Sequence, residues 1–203
     1  MVLDVGANVG QFGQELRLIG YEGLILSFEP DPASFRALQK VAAADGRWEA
    51  LNLALGSAPG EAPFNIMARS DFNSFRAPST ASTTTFVELN QVVETIAVKV
   101  ETLGALFPNL QAKHRFKRPY LKMDTQGFDL EVFTGARDIL PQLVGLQSEL
   151  SIKPIYTGSP DWRSVLAVFE AQKFELAALY PVDAWAQELV EFNCFLTRKT
   201  AAE

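Results

Sequence analysis

The chain has 203 residues, which fits one domain with a sizeable core, and its 48% hydrophobic and 21% charged content excludes a mainly disordered protein. A net charge of −6 argues against a nucleic-acid partner, because phosphate binding draws on clustered Lys and Arg. The single cysteine, Cys194, excludes an intrachain disulfide and a cysteine-held metal, as suits a reducing cytoplasmic setting, and no apolar run approaches the roughly 18 residues of a membrane span.

Met1 to Val5 is a short apolar run ending in glycines and reads as a buried strand. Asp4 interrupts it and no basic residue precedes it, unlike a signal peptide. Phe12, Leu16 and Ile19 recur at helical spacing up to Gly20. Leu24 to Phe28 is a second strand, and Asp31-Pro32 then offers a cap and a first-turn proline to a helix carried by Phe35, Leu38 and Val41. Trp48 to Leu55 reads as a third strand. This alternation predicts parallel βαβ units in an α/β, Rossmann-like doubly wound sheet.

Residues 57 to 118 read as an irregular insertion in a single domain spanning 1 to 203. Within it Thr95 to Val100 alternates like a strand and Glu101 to Leu110 fits a helix. Strands follow at Tyr120 to Met123, ending at Asp124, and at Leu143 to Ser148, ending at Glu149. Trp162 to Gln172 reads as a helix with Val165, Val168 and Phe169 inward, and Phe174 to Leu179 and Phe192 to Thr197 as a final strand pair.

The strongest local signal is Asp4-Val-Gly6-Ala-Asn8-Val-Gly10, between a strand and a helix. Glycine there lets the backbone turn sharply and approach a ligand, while the helix start behind it offers free N–H groups. Asn8 stands where a dinucleotide fingerprint needs its middle glycine. The acid-x-Gly-x-x-x-Gly spacing suits the methionine part of S-adenosylmethionine instead. Glu29 closes the second strand, where a carboxylate can accept both hydroxyls of a ribose. Asp124 and Glu149 close the fourth and fifth strands, so both are expected to face the cleft as candidate catalytic acids, taking a hydroxyl proton or fixing the acceptor. A cation could bridge them, but no further acid or amide cluster calls for one.

Val2-Leu-Asp-Val-Gly-Ala-Asn-Val-Gly10, Phe28-Glu-Pro30, Asn52-Leu-Ala-Leu-Gly-Ser57 and Leu121-Lys-Met-Asp-Thr-Gln-Gly127 occur in that order. With Glu131-Val-Phe-Thr-Gly135 and Glu149-Leu-Ser151, they resemble the FkbM-type methyltransferases from Val2 to about Arg198. The resemblance implies a mostly parallel sheet with a reversed last strand (the class I methyltransferase fold), S-adenosylmethionine as donor, and O-methylation of sugar or natural-product hydroxyls. It places Gly6, Asn8 and Gly10 at the methionine side, Glu29 at the ribose, and Ala54 and Leu55 at the adenine edge. Two departures stand out: Gln126 replaces the glutamate many relatives carry before the glycine, and Gly104 stands where an aspartate often follows the leucine.

Other candidates carry less. His114, in the run Lys113-His-Arg-Phe-Lys-Arg118, reads as a solvated turn before a strand. Ser70 to Thr85 reads as a lid or a mobile loop. Tyr156 and Trp162 fit either an aromatic wall for a sugar ring or loop packing, and Cys194 a small buried hydrophobe. The expected partner is a small-molecule or glycan acceptor. The alternatives are a nucleotide-dependent oxidoreductase, which Asn8 disfavours, and a cofactor-binding module without catalysis.

Overall fold

The computed structural model describes residues 1–182 and 188–199. A seven-stranded sheet forms its centre, made of β1 (Val2–Val5), β2 (Ile25–Phe28), β3 (Trp48–Leu51), β7 (Tyr120–Met123), β8 (Gly145–Ser151), β9 (Phe174–Pro181) and β10 (Glu191–Arg198). Its order is β3-β2-β1-β7-β8-β10-β9. The first five of these run parallel, and β10 is antiparallel to both neighbours, giving the reversed last strand. A three-stranded sheet, β4-β6-β5, is built from β4 (Ala54–Leu55), β5 (Gly60–Met67) and β6 (Val92–Glu101). The strand order reverses between β1 and β7, where an open α/β sheet leaves a crevice at its carboxyl ends.

Three helices begin at a residue whose side chain caps them. In α2 (Pro32–Ala43) the Asp31 carboxylate accepts from the N–H groups of Ala33 and Ser34, with proline in the first turn. Thr102 caps α3 (Leu103–His114) and Asp161 caps α5 (Trp162–Ala171). By contrast α1 (Gln11–Leu18) starts at Gly10 with no side-chain cap, and α4 (Asp129–Gly135) is similarly uncapped.

The main core lies between one sheet face and α3, α4 and α5, where Leu3, Leu26, Leu121 and Leu146 meet Phe107, Phe133 and Phe169. The other face packs Ile25 and Trp48 against Leu38 and Ala42 of α2. Trp48 also fixes α1: a Cβ on Gly13 would come within 2.2 Å of its ring, so only glycine allows that approach.

Several sequence expectations change. The strand expected over Trp48 to Leu55 splits, because the Asn52 side-chain amide donates to the carbonyls of Glu29 and Pro30 and turns the chain into the second sheet. Residues 57 to 118 are less irregular than expected, since β5 pairs with β6 along its whole length. Strand β8 starts later and runs past Glu149 to Ser151, held by continued pairing with β10, so Glu149 lies within the strand. His114 ends α3, half-buried, with its Nε2 3.0 Å from a Glu49 carboxylate oxygen. Ile19 and Val168 point outward, at 80% and 39% exposure. No helix among the described residues is long and apolar enough to cross a membrane.

Candidate functional site

A cleft of about 240 Å³ opens at the crevice between β1 and β7. Three left-handed residues alternate along its glycine loop, Gly6 at φ +74°, Asn8 at +47° and Gly10 at +95°. At Gly6 the need is absolute, because a Cβ there would lie 1.9 Å from the carbonyl oxygen of Asp124. Close approach of the β1 and β7 ends, as well as the backbone turn, therefore selects glycine.

Glu29 stands at the end of β2 with only 5% exposure. One of its oxygens accepts from the Asn8 N–H at 2.7 Å and the other from the Asp31 N–H at 2.8 Å. Each oxygen keeps a lone pair for a further donor. Burial pushes its pKa up to about 7 against the opposing pull of those two backbone hydrogen bonds. Leu53, Ala54 and Leu55 continue the wall, and Phe28, Phe64 and Phe75 add aromatic surface.

Of the residues expected at the cofactor, Gly6, Asn8, Glu29, Ala54 and Leu55 line this cleft. Asp4 and Gly10 do not. The place of a Gly10 Cβ is taken by Leu38 and Trp48, so this glycine serves packing behind the loop. Asp4 is fully buried, and its Oδ2 accepts from the Ser27 hydroxyl, which accepts from the Trp48 indole N–H. Its other oxygen lies 3.1 Å from the ammonium of Lys122, its register partner on β7. Lys122 does line the cleft, and sequence reasoning passed it over. The available signal was a lone lysine in the buried strand Tyr-Leu-Lys-Met. Burial alone would lower its pKa, but the charges of Asp4 and Asp124 outweigh that and raise it.

The two expected acids separate. Asp124, half-buried, lines the cleft, with Lys122 Nζ 3.6 Å from its Oδ2. Glu149 does not line it and lies behind Gln126. The Gln126 side-chain amide donates to Asp124 at 3.0 Å and to Glu149 at 2.6 Å, joining them. Burial, followed by the charge of Asp124, holds the Glu149 pKa well above the usual carboxylate range.

Of the two roles open to Tyr156 and Trp162, aromatic wall or packing, both residues take the second and neither lines the cleft. Tyr156 is 1% exposed, with its hydroxyl 2.8 Å from Gln126 Oε1 and 2.7 Å from the Phe72 carbonyl, and Trp162 packs edge-on against Phe192. Cys194 is buried, as expected.

The start of the Ser70–Thr85 stretch is an ordered wall. Ser70 donates to Asn8 Oδ1, and Ser70, Asp71, Asn73 and Phe75 line the cleft. Arg76 fastens this wall to the Asp124 side, donating to the Gly127 and Gly158 carbonyls and to the Glu131 carboxylate. Nothing local in the sequence announces Arg76, whose partners lie more than 50 residues away. Asn73 is 8% exposed, and its Nδ2 is a buried donor with no partner among the described residues.

The family described as the methyltransferase FkbM domain matches residues 4–176. The fold is similar to that of methyltransferase FkbM from Methylobacillus flagellatus KT, with a TM-score of 0.60 at 14% identity, over 97% of this chain and 43% of that one. The chain thus spans less than half of that protein's length. It is also similar to the magnesium protoporphyrin IX methyltransferase of Synechocystis PCC 6803, solved with bound SAM, at TM-score 0.54 and 10% identity over 98% of this chain and 70% of that one. The Methanococcus jannaschii fibrillarin pre-rRNA processing protein aligns at TM-score 0.52 and 13% identity, over 98% and 66%. No curated protein matches. At such identities these likenesses speak for the class I methyltransferase fold. The family match covers most of the sequence, and the chain belongs to the FkbM methyltransferase domain family.

Proposed function

We propose that this chain moves the methyl group of S-adenosylmethionine to a hydroxyl oxygen of a sugar or glycosylated natural product. The observation that carries the reading is one cleft with the buried Glu29 carboxylate at one end and Asp124 at the other, on opposite sides of the strand-order reversal.

The residues present fit the donor. The Glu29 oxygens retain acceptor capacity for two ribose hydroxyls, and the Gly6 approach leaves no Cβ in the turn. Leu53, Ala54, Leu55 and Phe75 supply apolar wall for a flat base, and the orphaned Asn73 donor lacks only a ligand acceptor. Glu15, Glu29, Asp71 and Asp124 make the lining acidic, which suits a cationic ligand. When bound, the donor supplies a methyl group on a sulfonium, already activated for in-line displacement.

The protein's own task is alignment, exclusion of water and help with one proton. Glu29 and the glycine loop fix the donor. Asp124 accepts the acceptor's hydroxyl proton or holds that hydroxyl in line, with Gln126 steering the carboxylate. Polar side chains that line the same cleft, among them Asp71 and Gln126, suit an acceptor rich in hydroxyls. Asp124-Thr-Gln-Gly127 stands where enzymes that methylate amide or base nitrogens carry an Asn-Pro-Pro-Tyr-like sequence.

The test is incubation with methyl-labelled S-adenosylmethionine and a panel of glycosides, followed by fragmentation mass spectrometry. The label is expected on a sugar oxygen. A label on nitrogen, carbon or sulfur, or on a nucleic acid, overturns the acceptor chemistry, and one on a lipid or phenolic oxygen overturns its sugar part.

A further inference from the structure

We propose that Lys122 is the anchor for the carboxylate of the donor's amino-acid end, an inference that rests on the reading that the cleft holds S-adenosylmethionine. The donor carries a carboxylate into a cleft whose lining includes the acids Glu15, Glu29, Asp71 and Asp124. Among the described residues, Lys122 is the only cationic side chain that lines it. An anion in such surroundings needs a fixed positive partner, since water is displaced and like charges stand close.

The geometry leaves Lys122 capacity for this. Its ammonium has three N–H donors. Asp4 Oδ1 lies 3.1 Å away and the Gly6 carbonyl oxygen 3.2 Å, both within hydrogen-bond distance. Asp124 Oδ2 stands at 3.6 Å, beyond that distance. The ammonium is held in place from behind by Asp4, which the Ser27 hydroxyl fixes in turn, and the ring of Phe12 covers it at 5.3 Å. Phe12 lies in the first turn of α1, whose start has no side-chain cap.

The test compares S-adenosylmethionine with its decarboxylated form, which differs only in the carboxylate, by titration calorimetry on the full chain. The decarboxylated compound carries one more net positive charge, so an acid-lined cleft without a carboxylate anchor would favour it. The unmodified chain is expected to bind S-adenosylmethionine at least about tenfold more tightly, as befits a charged hydrogen bond. Lys122→Met alone would strand the buried Asp4 charge, so the variant is the pair D4N/K122M, checked for folding by circular dichroism. In it the preference is expected to be lost or reversed in favour of the decarboxylated compound, whose own affinity stays unchanged. A preference kept by the folded pair overturns the inference, as does an unmodified chain that lacks the preference, a readout needing no variant. If neither compound binds the unmodified chain, the donor reading itself fails and takes the inference with it.

Discussion

The two ends of the cleft are built on different plans. At the β1–β2 end the contacts are backbone-made: Glu29 is held by two main-chain N–H groups, and Gly6 and Ala7 donate to the Phe28 carbonyl. All of this comes from the first 31 residues. At the β7–β8 end the contacts are made by side chains from distant parts of the chain: Gln126 joins Asp124 to Glu149, Tyr156 meets Gln126, and Arg76 ties the wall that begins at Ser70 to Gly127. A backbone-built end can hold one invariant ligand, whereas a side-chain-built end can be retuned by substitution for different acceptors. That is how a donor site and an acceptor site would be expected to differ.

The largest effect should come from the point where the ends meet. Gly6→Ala places a Cβ 1.9 Å from the Asp124 carbonyl at a left-handed φ, a clash between two strands that no side-chain motion relieves. A loss of about 2–4 kcal/mol of stability is expected, together with loss of donor binding. Denaturant unfolding and calorimetry measure the two. Near-normal stability would show that the two strand ends can part freely. Next comes Asp124→Asn, which keeps shape but removes charge. Turnover is expected to fall on the order of a hundredfold while donor affinity changes little. A matching fall in donor affinity would break the division between the ends.

At the other end the effects should be confined to binding. Glu29→Ala removes an acceptor from both ribose hydroxyls, so donor and demethylated product should weaken alike, by about 1.5–3 kcal/mol or roughly ten- to a hundredfold. The same carboxylate gives a pH signature. With its pKa raised to about 7, lowering the pH protonates the form proposed to accept from the ribose. Product affinity should therefore drop roughly tenfold between pH 8 and pH 6, as the ionised fraction falls. Asp31 and Lys122 face the same group, so Glu29→Gln is the control that should flatten the profile. Affinity constant across this range in the unmodified chain would show that Glu29 does not hold the ligand as a carboxylate.

The contrast also explains what the sequence made legible. The glycine loop, Glu29 and the Asp31-Pro32 helix start are local: neighbours in the chain become neighbours in space, and residue type alone reports the backbone shape. The parallel core strands were legible for the same reason, as short apolar runs. Glu149 was misplaced because its strand is prolonged by pairing with β10, about 40 residues later, which no local pattern encodes. For Tyr156 the sequence leaves wall and packing roles open, and only tertiary packing against a carbonyl 84 residues away decides for the buried one. Asp4 reads as a ligand residue by spacing, but its register with Lys122 and Ser27 turns it into their buried partner.

The smallest effect on turnover is expected at Glu149, and it separates the two acids. Burial and the nearby Asp124 charge raise its pKa well above that of an unfolded glutamate, so the protonated carboxyl is favoured there. Glutamine resembles that form and can still accept from Gln126 through its carbonyl oxygen, so Glu149→Gln should change kcat less than about threefold, against the large loss at Asp124. Stability gives the independent check. A folded state that holds a proton more tightly than the unfolded chain loses stability as pH rises, beginning near the unfolded pKa of about 4.5 and continuing until the folded carboxyl ionises. Removing the ionisable group should remove that part of the slope, so the variant should gain on the unmodified chain as pH is raised through this window. Denaturant midpoints measured from pH 5 to pH 9 test it. A variant that loses stability relative to the unmodified chain at high pH would mean that Glu149 is anionic in the folded protein, and that Gln126 bridges two charges where one charged and one neutral acid is expected.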